Sequence, residues 1–388
     1  MRCSLRTFLT VFNTKKVHLQ KDVGMIPYCL SKFFNWKCAL TYLDNRHDAN
    51  IDYKTYVDLL KISTEKCKCL QWFSWYCDII QSSRKYCVIN FYHYSLKKSC
   101  VLFLIKMFNS QLILYCKMDM NEYGILKLQN ANKDILTKFK NILKKSFINR
   151  FVDVFSVECS AFYKELIKDE IMKRKLLYLP NGFLIKKEYE KFFLIKKEKI
   201  ILTVGRIGAK EKNTELLIEA IKKIPESKLS DWKVYLVGPI EEGFLEYIDG
   251  IVREYEYMKN LVVVTGNIVE KEKLYTMYAK AKIFCLSSNW EGFPLVIPEA
   301  MYFKNYVITT NFPAAYDLTA SGTCGKIVER ENVREMQEAI EECLDENVDM
   351  ESIGALAHQR VVDQFNWEKI AKKLADVLEE LMQQKKDV

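Results

Sequence analysis

Two glutamates, Glu291 and Glu299, bracket an otherwise apolar stretch, SNWEGFPLVIPEAM (288–301). A carboxylate is an acceptor with two oxygens, suited to holding a pair of hydroxyl groups such as a sugar or ribose diol. Upstream, TVGRIGAKEKN (203–213) supplies two cations, Arg206 and Lys212. Cations near the start of a helix suit a diphosphate, which arginine can bind bidentately. Acids for hydroxyls and cations for phosphates together describe the binding of a nucleotide diphosphate sugar. Solvated charges on loops and helix ends would give the same residue pattern. Neither G-x-x-x-x-G-K-[ST] nor G-x-G-x-x-G is present, which excludes those two phosphate-binding fingerprints.

The elements around these residues decide between the two. In the second half, short apolar runs alternate with amphipathic segments: KIILTVG (199–205), NTELLIEAIKKI (213–224), KVYLVGP (233–239), FLEYIDGIVREYEYM (244–258), LVVVTG (261–266), KEKLYTMYAKA (271–281), KIFCLSS (282–288) and, after a helix through PEAMYF, YVITT (306–310). Runs that are apolar throughout predict strands buried on both faces, and strict alternation with helices predicts a doubly wound parallel sheet. Arg206, Lys212 and Glu291 then follow strand ends, facing the crevice where open α/β sheets bind ligands. Gly292 permits close backbone approach, and Pro294 suits the first position of a helix. The free N–H groups of Leu295 and Val296 would then donate to phosphate. Glu299 falls about one turn further along.

The first half repeats the rhythm less cleanly. Candidate strands are 8–12, 37–43, 85–92, 112–118, 151–157 and 176–180, with helices at 23–34, 54–62, 96–108, 130–146 and 160–170. PNGF (180–183) and the charged stretch to Lys199 read as a linker. The last segment, 365–386, is an amphipathic helix with Trp367, Ile370, Leu374 and Leu378 on one face.

A chain of 388 residues suits two domains, and with 49% apolar and 13% aromatic residues it is not of disordered composition. No stretch offers the ~18 uncharged apolar residues of a membrane span. VLFLIKMFNSQLILYC (101–116) is interrupted by Lys106 and a polar turn, and MRCSLRTFLTVF lacks an A-x-A cleavage site, so it reads as a first strand. Charge is uneven: about +15 over residues 1–190 and about −6 over residues 191–388, together the +9 of the chain. The basic half suits an anionic lipid surface or phosphorylated acceptor; it also suits nucleic acid, but no nucleic-acid motif accompanies it. Thirteen cysteines without a secretion signal point to reduced thiols. Cys67, Cys69, Cys77 and Cys87 lack the paired knuckles of a zinc site.

EGFPLVIPEAM resembles the E-x7-E motif of retaining family 4 glycosyltransferases, and TVGRIGAKEKN that family's phosphate segment. The resemblance runs over roughly residues 176–365 and implies the GT-B fold, two Rossmann-like doubly wound parallel-sheet domains facing a cleft. It implies an acceptor-side domain over 1–185, a nucleotide-sugar donor domain over 186–364, and a C-terminal helix, 365–388, packing back on the first domain. Glu299 would match the ribose glutamate and Glu291 the one near the donor sugar. Gly266 and Asn267 would lie beside the base. Gly24, in HLQKDVGMIPY, would lie near donor phosphate and sugar, although relatives often carry a glycine pair. His93 would contact the donor sugar, and Lys117 and Asp119 would lie on the acceptor side. The segments SVE (156–158) and YLPNGF (178–183) also resemble the family. After EAM, relatives have a glycine and a proline where this chain has YFKNYVITT.

The function so implied is transfer of a sugar, with retention, from a UDP-sugar or GDP-sugar to a glycan, lipid-linked or other acceptor. No metal or other cofactor is expected. A cytoplasmic location is expected, with peripheral contact to anionic membrane. The rival from another class is a non-catalytic nucleotide-sugar-binding subunit of a glycosyltransferase complex; a GT-B epimerase or phosphorylase is less well supported by the residues.

Overall fold

The computed structural model describes residues 6–12, 16–42, 51–61, 84–92, 104–120, 122 and 150–387. His93, the cysteines at 67, 69 and 77, the helix expected at 130–146 and most of that at 96–108 lie outside them. The chain forms two compact units: residues up to Asn181 together with those from Trp367 onward, and residues Gly182–Asn366.

The first unit is built on a seven-stranded sheet in the order β3-β2-β1-β4-β5-β6-β7, parallel throughout. Its strands are β1 (Thr7–Val11), β2 (Lys37–Tyr42), β3 (Val57–Lys61), β4 (Val88–Tyr92), β5 (Ile113–Met118), β6 (Val154–Val157) and β7 (Leu176–Tyr178). Strands β1 and β4 are buried along their whole length, as strands of a parallel sheet covered on both faces are. The helix expected at 54–62 is corrected: Ile51–Tyr56 is helical and β3 follows at once. Val57 to Lys61 pair in register with Cys38 to Tyr42, so edge pairing overrides the local helical pattern.

Helix Trp367–Lys386 belongs to this unit. It packs against helix Asp22–Phe34 and buries Trp367, Ile370, Ala371, Leu374, Ala375 and Leu378. Its polar edge is anchored too: Lys373 Nζ donates to the Tyr178 carbonyl at 2.9 Å. Lys385 Nζ reaches the Leu112 carbonyl at 3.0 Å and pairs with Asp153 at 2.8 Å.

The second unit holds a six-stranded parallel sheet, β10-β9-β8-β11-β12-β13. The strands are β8 (Glu198–Val204), β9 (Lys233–Val237), β10 (Val262–Gly266), β11 (Ala281–Leu286), β12 (Tyr306–Thr310) and β13 (Lys326–Val328). The stretch read as linker is packed: Phe183, Tyr189 and Phe192 join Tyr275, Tyr302 and Phe303 in one aromatic cluster, the rings of Phe183 and Tyr302 lying 4.7 Å apart. Burying several rings at once outweighs the charged residues between them. Among the described residues no helix is long and apolar enough to cross a membrane.

Candidate functional site

Because every pairing in the second unit is parallel, the carboxyl ends of its strands share one edge of the sheet. The loop after β8 begins at Gly205, whose N–H donates to Val237 at 2.9 Å. The neighbouring loop approaches so closely that a Cβ on Gly238 would lie 1.7 Å from the Gly205 carbonyl oxygen, so only glycine fits there. The loop ends at Asn213, in the left-handed region, where helix Thr214–Lys222 begins.

That loop is stitched to the one after β11. The Asn289 N–H donates to the Glu211 carbonyl at 2.9 Å, and its side-chain amide to the Lys210 carbonyl at 2.9 Å. Asn213 donates to Asn289 Oδ1 at 3.0 Å, and Ser287 Oγ to the Lys212 carbonyl at 3.2 Å. The stitching sets Lys212 Nζ 2.5 Å from Glu291 Oε1, which also accepts from Ser288 Oγ at 2.7 Å. Both members of the pair are mostly buried, Lys212 at 20% and Glu291 at 13% side-chain exposure. Arg206 stands apart from them: it is 58% exposed and pairs with Glu211 and, at 3.7 Å, with Glu241.

Glu299 sits on helix Val296–Tyr302. Lys271 Nζ lies 3.3 Å from its Oε1, and the Tyr278 hydroxyl donates to its Oε2 at 3.1 Å. Lys271 and Tyr278 are two turns apart on one face of helix Lys271–Lys280. Burial first, then the Glu299 charge, pushes the Tyr278 phenol well above its usual value, so it remains a neutral donor. Each Glu299 oxygen therefore retains acceptor capacity for a further hydroxyl.

Pro294 is not the first helical residue. The helix opens at Val296 with Leu295 as its cap, and Phe293 ahead of it is buried against Phe365, ring centroids 5.7 Å apart. Leu295 and Val296 still precede and open the first turn, where backbone N–H groups lack intrahelical partners. Gly292 lies between Glu291 and buried Phe293. Gly266 ends β10 with φ +71°, its carbonyl accepting from Gly238 at 2.9 Å, and Asn267 beside it is exposed. At the same edge, Arg330 donates to the Asn289 carbonyl at 3.0 Å and to Asn311 Oδ1 at 3.1 Å. Sequence reasoning missed Lys271, Tyr278, Ser288 and Arg330.

In the first unit, Gly24 lies in the first turn of helix Asp22–Phe34, where a Cβ would come within 2.4 Å of Leu19 backbone atoms. Close packing thus accounts for the glycine. Lys117 is buried completely, its Nζ 3.8 Å from both Asp22 Oδ2 and Glu158 Oε2. Burial pushes the Asp22 and Glu158 carboxyls up, and the Lys117 charge pulls them back. Asp119 is exposed beside this cluster. Only Asp119 of the expected acceptor-side pair therefore reaches the surface.

Residues 185–360 match the family model "Glycosyl transferases group 1". A GalNAc-α-(1→4)-GalNAc-α-(1→3)-diNAcBac-PP-undecaprenol α-1,4-N-acetyl-D-galactosaminyltransferase of Campylobacter jejuni is 29% identical over 184 residues, 46% of each chain. The Staphylococcus aureus capsular polysaccharide biosynthesis glycosyltransferase CapM is 26% identical over 237 residues, 56% of this chain and 60% of that one. The matched stretch thus spans about half the length of these curated relatives. Among solved structures, Anabaena Alr3699/HepE in complex with UDP superposes with a TM-score of 0.69 at 15% identity, over 97% of this chain and all of that one. The fold is GT-B, with seven and six parallel strands in its two sheets.

Proposed function

We propose that the chain is a glycosyltransferase that moves a sugar, with retention, from a nucleotide diphosphate sugar to a glycan or lipid-linked acceptor. A UDP-sugar is favoured and a GDP-sugar is the other candidate. The observation that carries this is Glu299, a mostly buried carboxylate held by Lys271 and Tyr278 at the sheet edge where the Lys212 and Glu291 loops are stitched together. The matching family model and relatives support it.

Glu299 accepts from the ribose hydroxyls, with Gly266 and Asn267 flanking the base. Lys212 turns from Glu291 to the diphosphate, aided by Arg206 and the N–H groups of Leu295 and Val296, leaving Glu291 and Gly292 beside the donor sugar. As the bond from the anomeric carbon to the diphosphate breaks, these cations and donors stabilise the charge that develops on the leaving group. The acceptor oxygen bonds to the same carbon on the same face, and its hydroxyl proton passes to the departing diphosphate oxygen. No metal is required, since the positive charge comes from the chain's own side chains. Asp119 lies on the acceptor side, and the basic first half docks on anionic membrane at the cytoplasmic face; vesicle binding that ignores salt would refute that dock.

The test is thermal stabilisation by UDP, GDP, ADP, CMP and their sugar conjugates, each with and without chelator. Stabilisation by one diphosphate series that survives chelation supports a metal-independent donor site. No stabilisation by any of them overturns the proposal. Donor binding without transfer to any lipid or glycan extract would leave a non-catalytic nucleotide-sugar-binding subunit.

A further inference from the structure

Lys197, immediately before β8, belongs to no motif, yet its ammonium meets the carboxyl ends of both helices that build the Glu299 clamp. Its Nζ donates to the carbonyls of Tyr278 at 3.2 Å, Ala281 at 2.7 Å and Phe303 at 2.7 Å. Tyr278 lies in the last turn of helix Lys271–Lys280 and Ala281 caps it; Phe303 caps helix Val296–Tyr302. Two helix dipoles thus present their negative ends to one cation. The same two helices carry the residues of the clamp, Lys271 and Tyr278 on one and Glu299 on the other. Asn305, fully buried, adds a second tie: its amide donates to the Tyr278 carbonyl at 2.8 Å and also to that of Ala281, while its N–H donates to Ala300 at 3.1 Å. The stacked rings of Tyr278 and Phe303 fill the space between the helix ends.

We propose that Lys197 is a positioning residue of the nucleotide site: by holding both helix ends with three hydrogen bonds, it sets the Glu299 carboxylate against the Tyr278 hydroxyl and so governs ribose binding. This rests on the donor-site reading above. A bond 3.1 Å long between side chains on separate helices depends on the spacing of those helices, which the Tyr278–Phe303 bridge through Lys197 fixes.

The test is calorimetric titration of UDP at pH 6, where the Lys197 amine carries its charge, into wild type, Lys197→Met, Glu299→Ala and the double variant. Lys197→Met should weaken UDP about tenfold, the scale of one lost charge-assisted hydrogen bond, and by less than about twofold when Glu299 is already alanine. Lys197→Arg, which keeps a cation with several donors, should restore most of the affinity. Asn305 still serves two of the three carbonyls, so Lys197→Met should fold; should it not, Lys197→Gln enters the same cycle. Unchanged UDP affinity, or an equal loss in the Glu299→Ala background, overturns the assignment while leaving the donor site standing. A wild type that binds no UDP overturns the UDP-site reading itself, and this inference with it.

Discussion

Glu299→Ala tests the site where the geometry is most explicit. The carboxylate is 14% exposed, and each oxygen already has one partner, Lys271 or Tyr278. If a ribose takes the remaining acceptor sites, the variant loses one or two charge-assisted hydrogen bonds, about 1.5–3 kcal/mol, or roughly 10- to 150-fold in affinity. Two other consequences need separating from this. The Lys271 ammonium, 40% exposed, returns to water at little cost. The Tyr278 hydroxyl, on a ring buried completely, loses its acceptor, which should lower stability by about 1–3 kcal/mol. Glu299→Gln keeps an acceptor for Tyr278 and should therefore recover stability while still weakening the nucleotide. The assay is calorimetric titration of UMP and UDP, with urea unfolding alongside. Since the ribose is common to both ligands, the loss should be the same factor for each. Undiminished affinity refutes the ribose assignment, and so does a loss that grows with the number of phosphates.

Lys212→Ala should behave in the opposite way, costing about 1–2 kcal/mol more for UDP than for UMP because its cation faces the diphosphate; equal losses would make the residue a partner of Glu291 only. Lys117→Met strands two buried carboxyls and should cost about 3–5 kcal/mol at neutral pH. Because burial raises both carboxyls, they bind protons more readily folded than unfolded, so the stability they contribute is greatest below about pH 4 and falls as pH rises. The loss in Lys117→Met should therefore be larger at pH 8 than at pH 5 in urea unfolding, and an equal loss would refute a charged cluster. Burial, then the Lys304 charge, pushes Lys197 down to about 7 from 10.5. Between those values the unfolded chain binds a proton that the folded chain does not, so wild type should gain on Lys197→Met by at most about 1.4 kcal/mol per pH unit as pH rises from 7; parallel stability curves would show that the amine titrates normally.

What the sequence disclosed of this site follows from distance along the chain. The stretch from Ser288 to Met301 could be placed because a buried strand, a glycine and a helix lie within one short segment, and local pattern fixes local geometry. The partners of Glu299 could not, since Tyr278 and Lys271 lie 21 and 28 residues away on another helix. The two cations were visible as residue types but not as pairs. Lys212 meets Glu291 only because Asn213 and Asn289 join their loops, and Arg206 turns away to Glu211 and Glu241. The first unit was harder to read for a related reason. Its strands carry polar residues into the core, Thr7, Asn90, Lys117 and Ser156 among them, and these break the apolar runs that announce a buried strand. Thr7 and Ser156 are tolerated because a distant segment supplies a partner. The Tyr115 hydroxyl and Ser156 Oγ lie 2.6 Å apart across 41 residues of sequence, and the Cys87 N–H donates to Thr7 Oγ1 across 80. Lys117 is the limiting case: on sequence alone a lysine belongs at the surface, and it becomes a core residue only when Asp22 and Glu158 arrive from other elements. The polar positions that made the first unit hard to recognise are therefore the ones whose substitution should expose its fold most sharply.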